Sequence, residues 1–252
     1  MLKYAKKTNA FILDTLFPVS CILCQKENTW LCPECGQKIN LLSFQLCPYC
    51  EKEITQNGCI CEKCKAKQLK NNTPSTLNAL LCATEYQPIS KLVHLFKYNF
   101  ISELGTPLGK IITRIILKNN LPIPELIIPI PIHKRKLKWR GFNQAEILAQ
   151  VVSQNLKSTS EIPIRTDLVY RKKYTQAQME IKTYQERLNN LFDAFALFEN
   201  AQKIINGKSI LLIDDIATTG TTLFECAKIL KSAGTKNVYG AIIARQKINP
   251  QN

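Results

Sequence analysis

Two neighbouring carboxylates, Asp214 and Asp215, close the apolar run Ile210-Leu211-Leu212-Ile213, and a hydroxyl-rich loop, Thr218-Thr219-Gly220-Thr221-Thr222, follows close behind. The branched run predicts a buried strand, and "TLFECAKILKSAG" predicts a helix closed by Gly234. A strand, a short loop and a helix start together make a cradle for an anion. Free backbone N–H groups face outward, with the positive end of the helix dipole behind them. Gly220 permits close backbone approach, and the threonines add donors. Two like charges beside an anion site make sense if the ligand is a sugar phosphate. Asp214 and Asp215 then accept hydrogen bonds from ribose hydroxyls and help to hold Mg²⁺. Replacing both by asparagine is expected to leave the empty fold intact, because it relieves a like-charge repulsion.

The second group of chemistry-bearing residues is thiol. Nine of the eleven cysteines fall between Cys21 and Cys64, and eight of these form CxxC pairs: Cys21 and Cys24, Cys32 and Cys35, Cys47 and Cys50, Cys61 and Cys64. A two-residue gap lets a tight turn aim both thiolates at one ion, and two such turns complete a tetrahedral sulfur site. Four pairs hold two zinc ions, the first two pairs on one and the last two on the other. Cys59 competes with Cys61 for the last site, and spacing favours Cys61. All-thiolate sites leave no open coordination position, so these ions are fold staples. Cys82 and Cys226 lie inside apolar patterns and read as buried small hydrophobes.

A third stretch is cationic. Lys134, Arg135, Lys136, Lys138 and Arg140 lie in "HKRKLKWRGFN", read as a loop after the apolar strand "ELIIPIPI". That is where a parallel sheet presents ligand-binding residues. The whole chain has 34 Lys and Arg against 19 acidic residues, a formal charge of +15, which attracts phosphates, nucleic acid or an anionic membrane.

The elements that must position these groups alternate along the chain. "LNALLCATEYQ", "ELIIPIPI", "TDLVYRKK", "KSILLID" and "NVYGAIIAR" read as strands. "ISKLVHLFKYN", residues 107–117, "QAEILAQVVSQNL" and "TLFECAKILKSAG" read as helices. Alternation of this kind predicts an α/β fold with a parallel sheet. The polar stretch "KAKQLKNNTPSTLN" is a linker, so residues 1–70 form a small cysteine-rich zinc module and residues 77–252 a second domain. The N-terminal "MLKYAKKTNAFILDTLFPVSC" has the basic start of a secretory signal, but Asp14 interrupts its apolar run, and it reads as a short docking helix. No uninterrupted apolar stretch approaches the roughly 20 residues that a membrane helix needs, so a cytoplasmic protein is expected.

"ILLIDDIATTGTTL" resembles the phosphoribosyl pyrophosphate signature of type I phosphoribosyltransferases. The resemblance implies that Asp214 and Asp215 contact the ribose and that Ala217, Thr218, Thr219, Gly220, Thr221 and Thr222 take the 5′-phosphate. "PIPIHKRKLKWRGFNQAEILA" and "RKKYTQAQMEIKTYQERLNNLFDAF" resemble the ComF family of competence proteins, which join a double zinc-ribbon module to a type I phosphoribosyltransferase-like domain. By that likeness Arg135, Arg140 and Gly141, with His133, Phe142, Asn143 and Gln144, occupy the pyrophosphate-loop position. Thr175, Gln178, Arg187 and Asn190 fall at a mobile loop that closes over the substrate. The likeness implies single-stranded DNA as a partner during natural transformation, with other DNA-uptake proteins, and phosphoribosyl pyrophosphate with Mg²⁺ as ligand. Trp139 and Phe142 beside Arg140 suit a single-strand surface. The alternative is an active nucleobase phosphoribosyltransferase of nucleotide salvage. Against it, Thr218 stands where oxopurine-specific enzymes carry an aspartate, and no residue is assigned as the catalytic base.

Overall fold

The computed structural model describes residues 19–71, 75–156, 161–173 and 193–246. Its contacts divide the chain into two compact units, residues 1–40 and 41–252. The reading from sequence placed the whole cysteine-rich segment in one module ending at residue 70.

In the first unit, Gln25 N–H donates to Cys21 O at 2.8 Å, and Gln25 takes the left-handed conformation at φ 65°. A bridge between Ser20 and Glu27 closes this knuckle. Helix α1 (Pro33–Lys38) starts where its sequence dictates: Cys32 Sγ caps it by accepting from Cys35 N–H, and Pro33 opens it.

In the second unit, strands β1 (Gln45–Leu46) and β2 (Ile54–Thr55) pair antiparallel, and α2 (Glu62–Lys70) follows. The core sheet is built from β3 (Ala79–Glu85), β4 (Leu126–Pro129), β7 (Ser209–Ala217) and β8 (Asn237–Arg245). All pairings are parallel, in the order β3-β8-β7-β4. The central strands are buried on both faces, as their near-continuous apolar sequences require. Helices α3 (Tyr86–Tyr98), α4 (Gly105–Lys118), α5 (Lys134–Arg140), α6 (Gln144–Leu156), α7 (Ala201–Ile205) and α8 (Thr221–Ser232) flank the sheet. A separate hairpin joins β5 (Val169–Arg171) to β6 (Phe195–Leu197). Helices α4 and α6 approach closely because Gly109 faces Val151, where an added Cβ would lie 2.6 Å from Val151 Cβ. Cys226 is fully buried in the core, whereas Cys82 is partly exposed.

Both sheet edges are covered, which removes unpaired strand groups that would recruit another chain. Beside β4, Ile127 N–H donates to Pro163 O and Arg165 N–H donates to Ile127 O, both at 2.9 Å. Beside β3, the cover comes from the cysteine-rich segment. Leu42 N–H donates to Ala83 O at 2.9 Å. The buried Gln45 amide accepts from Cys82 N–H at 2.9 Å and donates to Cys82 O at 3.1 Å. Cys59 bridges to Ala79. Because all four core strands run parallel, their carboxyl ends lie on one edge, where Asp214, Asp215 and the threonine loop follow from β7.

Candidate functional site

The cysteine sulfurs gather in chain order. Cys21, Cys24, Cys32 and Cys35 form one group and Cys47, Cys50, Cys61 and Cys64 the other, with sulfurs within 4.8 Å of one another in each. Cys24 and Cys32 Sγ are 3.6 Å apart, and Cys50 and Cys61 Sγ are 3.9 Å apart. A tetrahedral ion with bonds of about 2.3 Å to sulfur sets its ligands about 3.8 Å apart, so the spacing suits a metal. Cys61 belongs to the second group and Cys59 does not.

The electrostatics also ask for a cation. Burial opposes ionisation of Cys21, but backbone N–H groups of Cys32, Cys24 and Leu23 outweigh it and bring the thiol down to about 6. Hydrogen bonds with the Cys24 and Cys32 sulfurs push Cys35 up to about 12. In the second group, the Glu53 backbone leads in lowering Cys50 to about 7, while burial first, then the neighbouring sulfurs, push Cys64 to about 12. Four thiols can ionise together only when a positive ion sits among them.

The anion cradle is built as strand, turn and helix. Strand β7 ends at Ala217, and Gly220 caps α8 with φ 73°, a conformation that glycine adopts freely. A Cβ there would press on Phe224 Cε2 at 3.3 Å. Thr219 and Thr221 are buried and their hydroxyls lie 2.6 Å apart, so they bond each other and fix the turn. Thr218 and Thr222 are partly exposed.

The acidic pair is less alone than its sequence suggested. Asp214 Oδ1 accepts from Asp215 N–H at 2.9 Å, and Asp215 Oδ1 accepts from Ile216 N–H at 2.6 Å. Lys97 from the last turn of α3 places Nζ 2.9 Å from Asp215 Oδ1, with only 20% of the lysine and 8% of the aspartate side chain exposed. Burial works against charge on Lys97, but Asp215 and then Asp214 outweigh it and hold its pKa above the ordinary value. No ion pair to Asp214 forms among the described residues: burial, then the charge of Asp215, pushes it up to about 7. The expectation that both aspartates are dispensable to the empty fold is therefore corrected for Asp215, which neutralises the largely covered Lys97. Lys97, the Asp215 N–H and lastly Arg171 on β5 offset only part of the rise at Asp214.

The cationic stretch differs from the expected loop: it forms α5, with its charges on a helix. His133 Nδ1 caps the start by accepting from Arg135 N–H at 3.2 Å, and Gly141 ends it at φ 80° with its N–H on Leu137 O. Lys134, Arg135 and Lys138 are exposed, as is Trp139 at 62%, whose ring meets Phe100 edge-on at 5.1 Å. Arg140 turns inward: it donates to Gln144 Oε1 at 3.0 Å and lies 5.8 Å from the Tyr98 ring centroid. Asn143 and Gln144 are buried ties, the first donating to Ile130 O at 3.1 Å and the second to Phe96 O at 3.3 Å. Burial, then Arg135, Arg171, Lys136 and Lys134, keeps the His133 pKa below its usual value. That dense positive field favours an anion nearby.

Lys97 and Arg171 escaped sequence reasoning. Their signal was weak: one is a lysine within an amphipathic helix, the other one of three cations ending a short strand. Thr175, Gln178, Arg187 and Asn190, and the N-terminal docking helix, lie outside the described residues. No helix among the described residues is long and apolar enough to cross a membrane.

Comparison with known proteins agrees with this geometry. The phosphoribosyl transferase domain model matches residues 140–250. Competence protein F of Haemophilus influenzae is 28% identical over 237 residues, spanning 91% of this chain and 98% of that protein. The DNA utilization protein YhgH of Escherichia coli is 28% identical over 232 residues, 88% of this chain and 94% of its own. Competence protein ComFC of Bacillus subtilis is 23% identical over 242 residues, 85% and 89% of the two chains. The chain is a homologue of competence protein F, YhgH and ComFC over most of its length, and it combines a phosphoribosyltransferase domain with two four-cysteine groups in its N-terminal region.

Proposed function

We propose that this chain is a competence protein of DNA uptake that binds phosphoribosyl pyrophosphate with Mg²⁺ in its anion cradle and single-stranded DNA on its basic surface. The observation that carries the reading is the strand–loop–helix turn that sets Asp215, paired with Lys97, and its neighbour Asp214 beside the Gly220 cradle. Thr218 to Thr222 offer backbone and hydroxyl donors to the 5′-phosphate, and Ala217 ends the strand before them. Asp214 and Asp215 take the ribose hydroxyls, and Mg²⁺ when bound offsets the pyrophosphate charge there. Arg135 meets the pyrophosphate, while Arg140 and Gly141 shape α5 around it. Names of relatives as competence and DNA utilization proteins support the uptake role. In this reading residues 1–70 carry zinc in both cysteine groups, residues 77–252 carry the sugar-phosphate site, and the protein works in the cytoplasm beside other uptake proteins.

Lys134 and Lys138 are exposed around the protruding Trp139 ring, which suits phosphates tracked along one face and a base stacked on the indole. Each lysine that neutralises a phosphate on a single strand contributes about 0.7 to the slope of log affinity against log salt. Replacing Lys134, Lys136 and Lys138 by glutamine is expected to flatten that slope by about 2, measured by filter binding of single-stranded DNA over a salt series. Binding that ignores salt, or an unchanged slope in the triple variant, refutes a DNA surface at α5. The same strand–loop–helix cradle also supports transfer of the phosphoribosyl group to a nucleobase; pyrophosphate release with a panel of bases, run beside the DNA assay, decides that second reading.

A further inference from the structure

The first knuckle of the second cysteine group lies against the back of the anion cradle. Tyr49, between Cys47 and Cys50, packs its ring on Phe224 of α8 with centroids 4.9 Å apart. Its hydroxyl accepts from the N–H groups of Thr76 and Leu77, both at 3.0 Å, and lies 3.2 Å from Leu77 O. The ring is therefore fixed at both ends. Glu51, the residue after Cys50, forms an ion pair with Arg245 at the end of β8. Arg245 is in register with Ala217, and the next residue, Gln246, donates its N–H to Ala217 O at 2.9 Å. Arg245 Nη2 comes within 3.5 Å of the place a Cβ on Gly220 would occupy, and Phe224 Cε2 within 3.3 Å. The two side chains that wall Gly220 are thus the two that the knuckle holds.

Glu51 itself has φ 54°, the left-handed region that glycine and asparagine enter most readily. At this position the long carboxylate reaches Arg245 while the backbone holds a conformation that the residue type does not favour.

We infer that Tyr49 and Glu51 are positioning residues for the anion cradle, acting through Phe224 and Arg245, so that the second cysteine group is part of the sugar-phosphate site rather than a separate attachment. The inference rests on the reading that the cradle takes a phosphate. With the knuckle in place, Gly220 and the first N–H groups of α8 are held in the arrangement that faces an anion. With it loosened, the cradle must be ordered by the ligand, and affinity falls.

Hydrogen exchange on the full chain, with and without phosphoribosyl pyrophosphate and Mg²⁺, tests this. Tyr49→Leu and Glu51→Gln are expected to speed exchange severalfold at residues 219–224 while the amides of α6 keep their rates. Tyr49→Leu, which changes no charge, is expected to weaken phosphoribosyl pyrophosphate about three- to tenfold by calorimetry. Unchanged exchange at 219–224 in both variants overturns the inference, as does a uniform rise across the whole domain. Exchange reads the coupling without ligand, so wild-type protein that fails to bind phosphoribosyl pyrophosphate refutes the functional reading while the local exchange still decides the positioning role.

Discussion

Replacing Asp215 by asparagine is expected to destabilise the empty protein by about 3–5 kcal/mol, because it strands the Lys97 ammonium in a buried site. For a domain of this size that corresponds to a drop in melting temperature on the order of 10 °C. Asp214→Asn is expected to behave in the opposite way. The folded-state pKa of Asp214, about 7, lies above its ordinary value of 3.8 because of burial and the Asp215 charge. Its neutral form is the one the fold favours, so the stability it contributes is present at acid pH and is lost as pH rises through about 7. The advantage of Asp214→Asn over wild type should therefore grow between pH 5 and pH 7.5 and then level off. Thermal melts of the two variants across that range check both signs. Equal losses in both variants would show that Lys97 is not the partner that decides.

Removing the second cysteine group is expected to have a larger effect. Its segment covers the β3 edge through Leu42, Gln45 and Cys59, so loss of the ion exposes strand groups of the core sheet as well as the knuckles. Binding of a structural zinc supplies about 10–16 kcal/mol to small folds of this kind, as much as the whole stability of a typical domain, about 5–15 kcal/mol. Cys47→Ser combined with Cys50→Ser is expected to remove one zinc equivalent and to unfold the β3 edge, with a melting temperature lower by at least about 10 °C. Cys21→Ser with Cys24→Ser is expected to remove the other equivalent. Elemental analysis and thermal melts of the two double variants check this; wild-type protein that carries no metal, or a Cys47/Cys50 variant that melts like wild type, would contradict it.

The sequence announced what depends on local pattern and concealed what depends on assembly. Strands β7 and β8 were legible because they are buried on both faces and read as unbroken apolar runs. Helix α6 was legible from its periodicity, and the thiol groups from their spacing. Helix α5 was not, since five cations in seven residues mask any apolar periodicity, and the signals that decide it are the single cap His133 and the left-handed Gly141. Lys97 was invisible for a different reason. A lysine in the last turn of an amphipathic helix ordinarily serves the dipole and faces water, and only the placement of α3 against the end of β7 brings it to Asp215. The partnership of Glu51 with Arg245 joins residues at opposite ends of the chain, which no local window contains.

Calorimetric titration of phosphoribosyl pyrophosphate into wild type and Asp214→Asn, with and without Mg²⁺, tests the central claim most directly. Loss of a charge-assisted hydrogen bond costs about 1.5–3 kcal/mol, so Asp214→Asn should bind roughly 10- to 100-fold more weakly. Wild type should require Mg²⁺ and should bind inorganic phosphate less tightly than the sugar diphosphate. Equal affinity in the two proteins, or binding indifferent to Mg²⁺, would contradict the assignment of Asp214 to the sugar phosphate and its Mg²⁺.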